Sequence, residues 1–239
     1  MDRSEPAYCV IPGAGSSGLA WAETIELLGA TLLEVPDASD VARMAAALAP
    51  QLRERSAHLV VVGASLGAMV ALELSRTVRV DALVLIAAGF GIEVSDSLLN
   101  WIAANPPDLL EKVARASIAD PEDEALVALL ARDFASRGQP VLLRHLTALG
   151  SYRPQPLEAP PPTLVIWGEG DRSVPLADHV ELARQCRGAV APMGDAGHVP
   201  YLEQPAETVR WIRTATQLSY LTSEERTSNG QRHDLSDLT

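Results

Sequence analysis

Three short stretches of the chain carry residue types that could act together on a carbonyl group. The first is Gly63-Ala64-Ser65-Leu66-Gly67, a G-x-S-x-G pattern placed directly after the apolar run Leu59-Val60-Val61-Val62 and directly before a helical pattern. The pattern alone arises by chance in roughly 8% of chains of this length, so its flanks decide its meaning. Where a buried strand turns sharply into a helix, the central residue is held in a sparsely allowed backbone conformation, and only small neighbours two positions away avoid collision. Gly63 and Gly67 meet that requirement, and Ser65 is then expected above the sheet edge, at the positive end of the following helix. The bland alternative is a glycine-rich turn with an incidental serine.

A serine hydroxyl is a weak nucleophile until an imidazole takes its proton. Of the five histidines, His58 precedes a strand, His145 and His179 fall in helical segments, and His233 lies near the C-terminus. His198 differs: Gly194-Asp195-Ala196-Gly197-His198-Val199-Pro200 reads as a loop just beyond the last strand, where open α/β sheets gather their functional groups. An acid that orients this imidazole is expected after the preceding strand, Thr163 to Trp167, and Asp171 in Gly168-Glu169-Gly170-Asp171-Arg172 is the candidate. Glu169, Asp195, Glu93 and Asp96 compete for the role, each with the bland reading of a surface carboxylate.

Acyl transfer also needs backbone N–H groups aimed at a developing oxyanion. Ala14, in the loop Pro12-Gly13-Ala14-Gly15-Ser16-Ser17-Gly18 after the first strand, and Leu66, just past the serine, are the expected donors. The same loop contains G-x-G-x-x-G spacing, which also suits a dinucleotide pyrophosphate, with Glu34 or Asp37 as the acid after the second strand. That reading leaves Ser65, Asp171 and His198, each at a strand end, without a purpose.

These residues need a scaffold that delivers several strand ends to one rim. Apolar runs bounded by Gly or Pro recur at Tyr8–Pro12, Thr31–Pro36, His58–Gly63, Asp81–Gly89, Thr163–Gly168 and Ala189–Met193. Most are apolar throughout, as suits strands covered on both faces of a parallel sheet. Helical patterns at Ala20–Leu28, Val41–Arg53, Met69–Arg76, Leu176–Arg187 and Ala206–Leu218 alternate with them, so the expected fold class is α/β with a mostly parallel sheet of about six strands. Residues 1–89 and 156–218 make the two parts of the core. Residues 90–155 lack a strand and hold helix candidates from Ser95, from Asp120 and over Pro140–Leu149, which reads as an inserted helical lid. Phe90, Leu98, Leu99 and Trp101 are candidate liners of a pocket beneath it, with ordinary lid packing as the alternative. Residues 219–239, rich in Ser, Thr and charge, are expected to be a disordered tail.

The 239-residue length allows one sizeable core. A net charge of -12 disfavours nucleic acid and anionic membranes as partners but says little about the substrate, which the site residues suggest is a small molecule. Two cysteines, Cys9 and Cys186, read as separate intracellular thiols, and the N-terminus lacks a secretory pattern, which gives a cytoplasmic expectation. The sequence calls for no metal and no cofactor.

Taken together, Gly63 to Ala68, Trp167 to Pro175 and Gly197-His198-Val199-Pro200-Tyr201-Leu202-Glu203-Gln204-Pro205 resemble the α/β-hydrolase superfamily, in particular its lidded serine esterases, carbon–carbon bond hydrolases and acyl-carrier methyl esterases. The chain order Ser, acid, His is that of this fold. The resemblance implies Ser65 as nucleophile, Asp171 as acid, His198 as base, and Ala14 with Leu66 as oxyanion donors. Two features depart from the pattern: the usual N-terminal antiparallel strand pair is lacking, and Pro12-Gly13 stands where many relatives have His-Gly. The implied activity is hydrolysis of an ester or related acyl bond. A carbon–carbon bond or thioester substrate, and a non-enzymatic ligand-binding role, are the alternatives.

Overall fold

Successive residues of each strand point to opposite faces of the sheet, and both faces are buried along the central strands Leu59–Ala64 and Ala82–Ile86. The computed structural model describes residues 5–53 and 58–233, with side chains as far as Leu221. Cys9, Ile11, Val61, Leu83, Leu85 and Val165 pack in one core layer, whereas Val10, Val60, Val62, Val84, Ile86, Leu164 and Ile166 pack in the other. The strands are β1 (Ala7–Ile11), β2 (Thr31–Leu32), β3 (Leu59–Ala64), β4 (Ala82–Ile86), β5 (Thr163–Gly168) and β6 (Ala189–Met193). They form a six-stranded sheet in the order β2-β1-β3-β4-β5-β6, with every pairing parallel. The expected α/β class, strand number and parallel sense are therefore those of the molecule.

Parallel neighbours require crossovers, and helices supply them. The first core layer is closed by α2 (Val41–Arg53), α3 (Leu66–Leu74) and α8 (Leu176–Gln185). The second is closed by α1 (Ala22–Leu28), α10 (Pro205–His233) and, next to the site, part of the insertion between β4 and β5. A single 3₁₀ turn, Leu19–Trp21, precedes α1, and the short α9 (Pro200–Glu203) precedes α10. Because β2 lies on one side of β1 and β3 on the other, the connection reverses direction at β1 and β3. A crevice opens beyond the carboxyl ends of strands at such a reversal. The loop after β1 and the turn after β3 both lie there.

Some expected boundaries shift, for identifiable reasons. The run Thr31–Pro36 pairs only over Thr31 and Leu32, with Leu33 N–H still reaching Val10 C=O at 2.8 Å; Pro36 has no N–H with which to continue the ladder. Between β4 and β5 stand four helices, not three: α4 (Asp96–Ala103), α5 (Leu109–Ser117), α6 (Glu124–Arg137) and α7 (Gln139–Ser151). The overlooked α5 buries Leu109 and Ala114 behind a charged outer face. The start signal at Asp120 also lands late. Asp123 caps α6, accepting from Ala125 and Leu126 N–H, while Asp120 closes a turn with Glu122 N–H. Finally, the segment expected as a disordered tail continues α10 as helix through His233. Helix propagation fixes one residue per bond once a packed segment has nucleated it, so a polar extension costs little. Residues 234–239 lie outside the described residues.

Candidate active site

The turn from β3 into α3 is set by two close approaches of backbone. A Cβ on Gly63 would lie 2.3 Å from Gly67 C=O, and one on Gly67 would lie 2.1 Å from Ile11 C=O. Neither glycine is needed for its φ; both are needed because nothing larger fits. Between them Ser65 has φ 51° and ψ −116°, outside the ordinary regions for a residue with a side chain. The strain is held by its N–H, which donates to Ile86 C=O at 2.9 Å, and by its C=O, which accepts from Ala68 and Met69 N–H.

His198 lies in the loop after β6, and its ring Nδ1 sits 2.9 Å from Asp171 Oδ2. Asp171 Oδ1 accepts from Ser173 N–H at 2.8 Å and Val174 N–H at 3.1 Å. The Asp171 side chain is 0% exposed and that of His198 15%, so the carboxylate is sealed behind a ring with one accessible side. Burial alone would raise the Asp171 carboxyl, but the His198 ring and the two amides outweigh it and hold the group below the usual carboxylate range. Nδ1 must therefore carry a proton toward Asp171, which leaves Nε2 as an acceptor. The competing acids stand elsewhere: Asp195 and Glu169 are exposed, Asp96 occupies the first turn of α4, and Glu93 is at the cavity wall.

Ser65 and His198 border one cavity of about 340 Å³, floored by Gly13, Ala14 and Ser65 and walled by Ile102, Phe134, Leu142 and Leu146 from the helical insertion. Among the described residues no hydrogen bond joins Ser65 Oγ to His198 Nε2, although both residues line this space. Of the expected liners, Leu98 faces the cavity, whereas Phe90, Leu99 and Trp101 do not. Phe90 packs on the first core layer instead, and Trp101 is 37% exposed on the outer face of α4. A four-residue helical period separates Leu98 from Ile102, and it is Ile102 that continues the inward stripe.

The loop after β1 passes directly over the serine turn, since a Cβ on Gly13 would lie 3.6 Å from Ser65 Cβ. Neither Ala14 N–H nor Leu66 N–H, the latter in the first turn of α3, has a protein acceptor among the described residues. From Gly15 to Leu19 every donor of the loop is taken. Asp133 of α6 accepts from Ser16 Oγ at 2.6 Å, Ser17 N–H at 2.8 Å, Ser17 Oγ and Leu19 N–H at 3.1 Å. The dinucleotide reading fails on this point, because a carboxylate of the same chain occupies the place of a pyrophosphate. Leu142 and Leu32 also abut Gly15 and Gly18, and Glu34 and Asp37 pair with Arg137 and Arg144.

Three residues at the site did not stand out in the sequence. His145 of α7 is 0% exposed and receives Gly15 N–H on Nδ1 at 3.2 Å. Asp133, also 0% exposed, interrupts the buried face that Val127, Leu130 and Phe134 form on α6. A carboxylate on an otherwise apolar helix face is the signal that could have exposed it. Glu203 accepts from Ala119 N–H at 2.6 Å and Gly197 N–H at 2.7 Å, stitching the loop between α5 and α6 to the histidine loop. Burial pushes its carboxyl up, against the opposing pull of those amides.

Residues 9–211 match the model of the alpha/beta hydrolase family, and the chain belongs to that family. It is, accordingly, a hydrolase of the α/β fold. No curated protein matches it in sequence. Among solved structures it is similar to a thermophilic esterase, with 22% identity over 89% of this chain and 90% of that one and a TM-score of 0.80. A 2-hydroxy-6-oxo-6-phenylhexa-2,4-dienoate hydrolase from a Rhodococcus strain gives 19% identity, 89% and 91% coverage and a TM-score of 0.71. The type II thioesterase of the borrelidin biosynthetic cluster gives 20% identity, 88% and 92% coverage and a TM-score of 0.63. At these identities the likeness is one of fold.

Proposed function

We propose that the chain is a serine esterase acting on a small carboxylic ester through an acyl-enzyme. The reading rests above all on one observation: a strained serine and an Asp-oriented imidazole border the same apolar cavity. Ser65 Oγ attacks the carbonyl carbon as His198 Nε2 removes its proton. The Ala14 and Leu66 amides receive the oxyanion. His198 then returns the proton to the departing alkoxide, and a water deprotonated by the same nitrogen releases the acid. Asp171 remains ionised throughout, consistent with its low carboxyl pKa. A cavity of about 340 Å³ is near the lower end for small-molecule sites, which favours short acyl or alkyl groups.

Residues 90–155 act as the lid that supplies the apolar wall. No described helix is long and apolar enough to cross a membrane. The buried thiols Cys9 and Cys186, not bridged to each other, support a cytoplasmic setting.

The deciding experiment is labelling by a fluorophosphonate, read by peptide mass spectrometry, beside turnover of p-nitrophenyl esters. Ser65 is the expected adduct site, and Ser65→Ala is expected to lower turnover roughly 10⁴- to 10⁶-fold. Label on another residue, or near-normal turnover by Ser65→Ala, refutes the reading. Relative turnover on acyl thioesters and vinylogous diketones ranks the bond types.

A further inference from the structure

The Gly13–Gly18 loop is unusual in what holds it. Most of its bonded donors are held by the helical insertion, not by the sheet that it leaves. Ala14 N–H belongs to the Gly13–Ala14 peptide, whose C=O accepts from Ser16 N–H at 3.3 Å. The next peptide, Ala14–Gly15, is fixed by its own N–H donating to His145 Nδ1. His145 Nε2 lies 3.2 Å from Pro36 C=O, which can only accept, so Nε2 carries the proton and Nδ1 is the lone-pair side. Burial keeps the ring neutral by pushing its pKa down to about 4. Beyond Gly15, the Asp133 carboxylate gathers the four donors of Ser16, Ser17 and Leu19, and Ser16 Oγ in turn accepts from Gly18 N–H at 3.1 Å. A fully buried carboxylate with that many donors defines one loop conformation, because any other leaves it unsatisfied.

We infer that Asp133 and His145 are positioning residues that aim the Ala14 amide at the reacting carbonyl oxygen, so that the lid sets the oxyanion hole as well as covering the pocket. This rests on the esterase reading above. It assigns the two residues an effect on the transition state, while neither touches the substrate.

The test exploits the two ends of the imidazole. An asparagine at 145 places its amide oxygen near the Nδ1 position and can still receive Gly15 N–H; a glutamine reaches the Nε2 position and keeps only Pro36. Both variants leave a polar, buried group with one partner. Turnover of p-nitrophenyl butyrate is measured per Ser65 site titrated with fluorophosphonate, so that misfolded protein drops out. His145→Asn is expected to stay within about threefold of wild type. His145→Gln and Asp133→Asn are expected to lose roughly 10- to 100-fold in kcat with KM nearly unchanged. Inhibition by a trifluoromethyl ketone, which forms the tetrahedral adduct, should weaken by the same factor. Equal kcat for the Asn and Gln variants at 145, or a wild-type kcat per titrated site in Asp133→Asn, overturns the inference. Should Asp133→Asn not fold, Ser17→Ala removes part of the same cluster and the 145 pair decides. A wild-type enzyme that does not label at Ser65 overturns the esterase reading itself, and the inference with it.

Discussion

Replacing Asp171 by asparagine changes almost no volume, yet the surrounding donors dictate a large effect. Oδ1 accepts two backbone amides, from Ser173 and Val174, and Oδ2 faces His198 Nδ1. An asparagine must therefore turn its oxygen to the Oδ1 side, since the opposite orientation would press an NH₂ against two N–H groups. Each donor left unsatisfied in a buried place costs about 1–3 kcal/mol, so the first orientation wins by a few kcal/mol. The NH₂ then faces His198 Nδ1, which has to become the acceptor. The ring proton moves to Nε2, and Ser65 loses its base. The equivalent change in chymotrypsin-type proteases lowers kcat about 10⁴-fold, which corresponds to roughly 5 kcal/mol of barrier. We expect a loss of that order here on p-nitrophenyl butyrate. Thermal unfolding should shift only a few degrees, because the amide contacts survive. A variant that kept kcat within tenfold of wild type would refute the tautomer argument and with it the assignment of Asp171.

Gly67→Ala should destabilise the fold by about 3 kcal/mol or more in urea titration, because the added methyl meets Ile11 and Pro12 carbonyl oxygens with no flexible side chain to yield. Glu203→Gln leaves a single acceptor oxygen for the Ala119 and Gly197 amides; a loss of about 1–3 kcal/mol in the same assay is expected, together with reduced turnover as the histidine loop loosens. Acid sensitivity follows from His145. Its folded pKa near 4 lies below the unfolded value of 6.5, so the unfolded chain binds the extra proton first and stability falls as pH drops from about 6.5 to 4. The full contribution is about 3 kcal/mol. His58 and His179 are shifted in the same direction, so His145→Asn should flatten, not abolish, the slope of melting temperature against pH.

How much of this was legible beforehand depended on whether a neighbour in sequence or a neighbour in space does the work. The sheet was legible because continuous apolar runs such as Leu59-Val60-Val61-Val62 can only be covered on both faces. The serine turn was legible because Gly63 and Gly67 collide with backbone only a few residues away or in the adjoining strand. Pairing of Asp171 with His198, and not of Asp195, followed from the rule that functional groups gather at strand ends, and Asp171 is the carboxylate found against the ring. The helical insertion was read less well. Its α5 is short and carries Glu111, Lys112 and Arg115, and competing aspartates at 120 and 123 blurred the start of α6. On α4 the pocket wall was misjudged by one residue: Leu98 lines it as expected, but the inward stripe continues at Ile102, not at the adjacent Trp101. Asp133 and His145 escaped notice because their partners are 109 to 130 residues distant, and no local pattern encodes such a meeting.

Those same long spans bear on the order in which the polypeptide becomes competent. The loop carrying Ala14 leaves the ribosome early, while its holders Asp133 and His145 follow 117 and 130 residues after their first partners. His198, the proposed base, arrives later still, and α1, made near the beginning, waits for Tyr201, whose carbonyl receives Thr24 Oγ across 177 residues. On the esterase reading, a nascent chain that has completed β1, β3 and the serine turn has the proposed nucleophile, but not yet the residues that hold the oxyanion loop or the proposed base. A chain that stops short of His198 then has no base for Ser65 and is expected to be inactive.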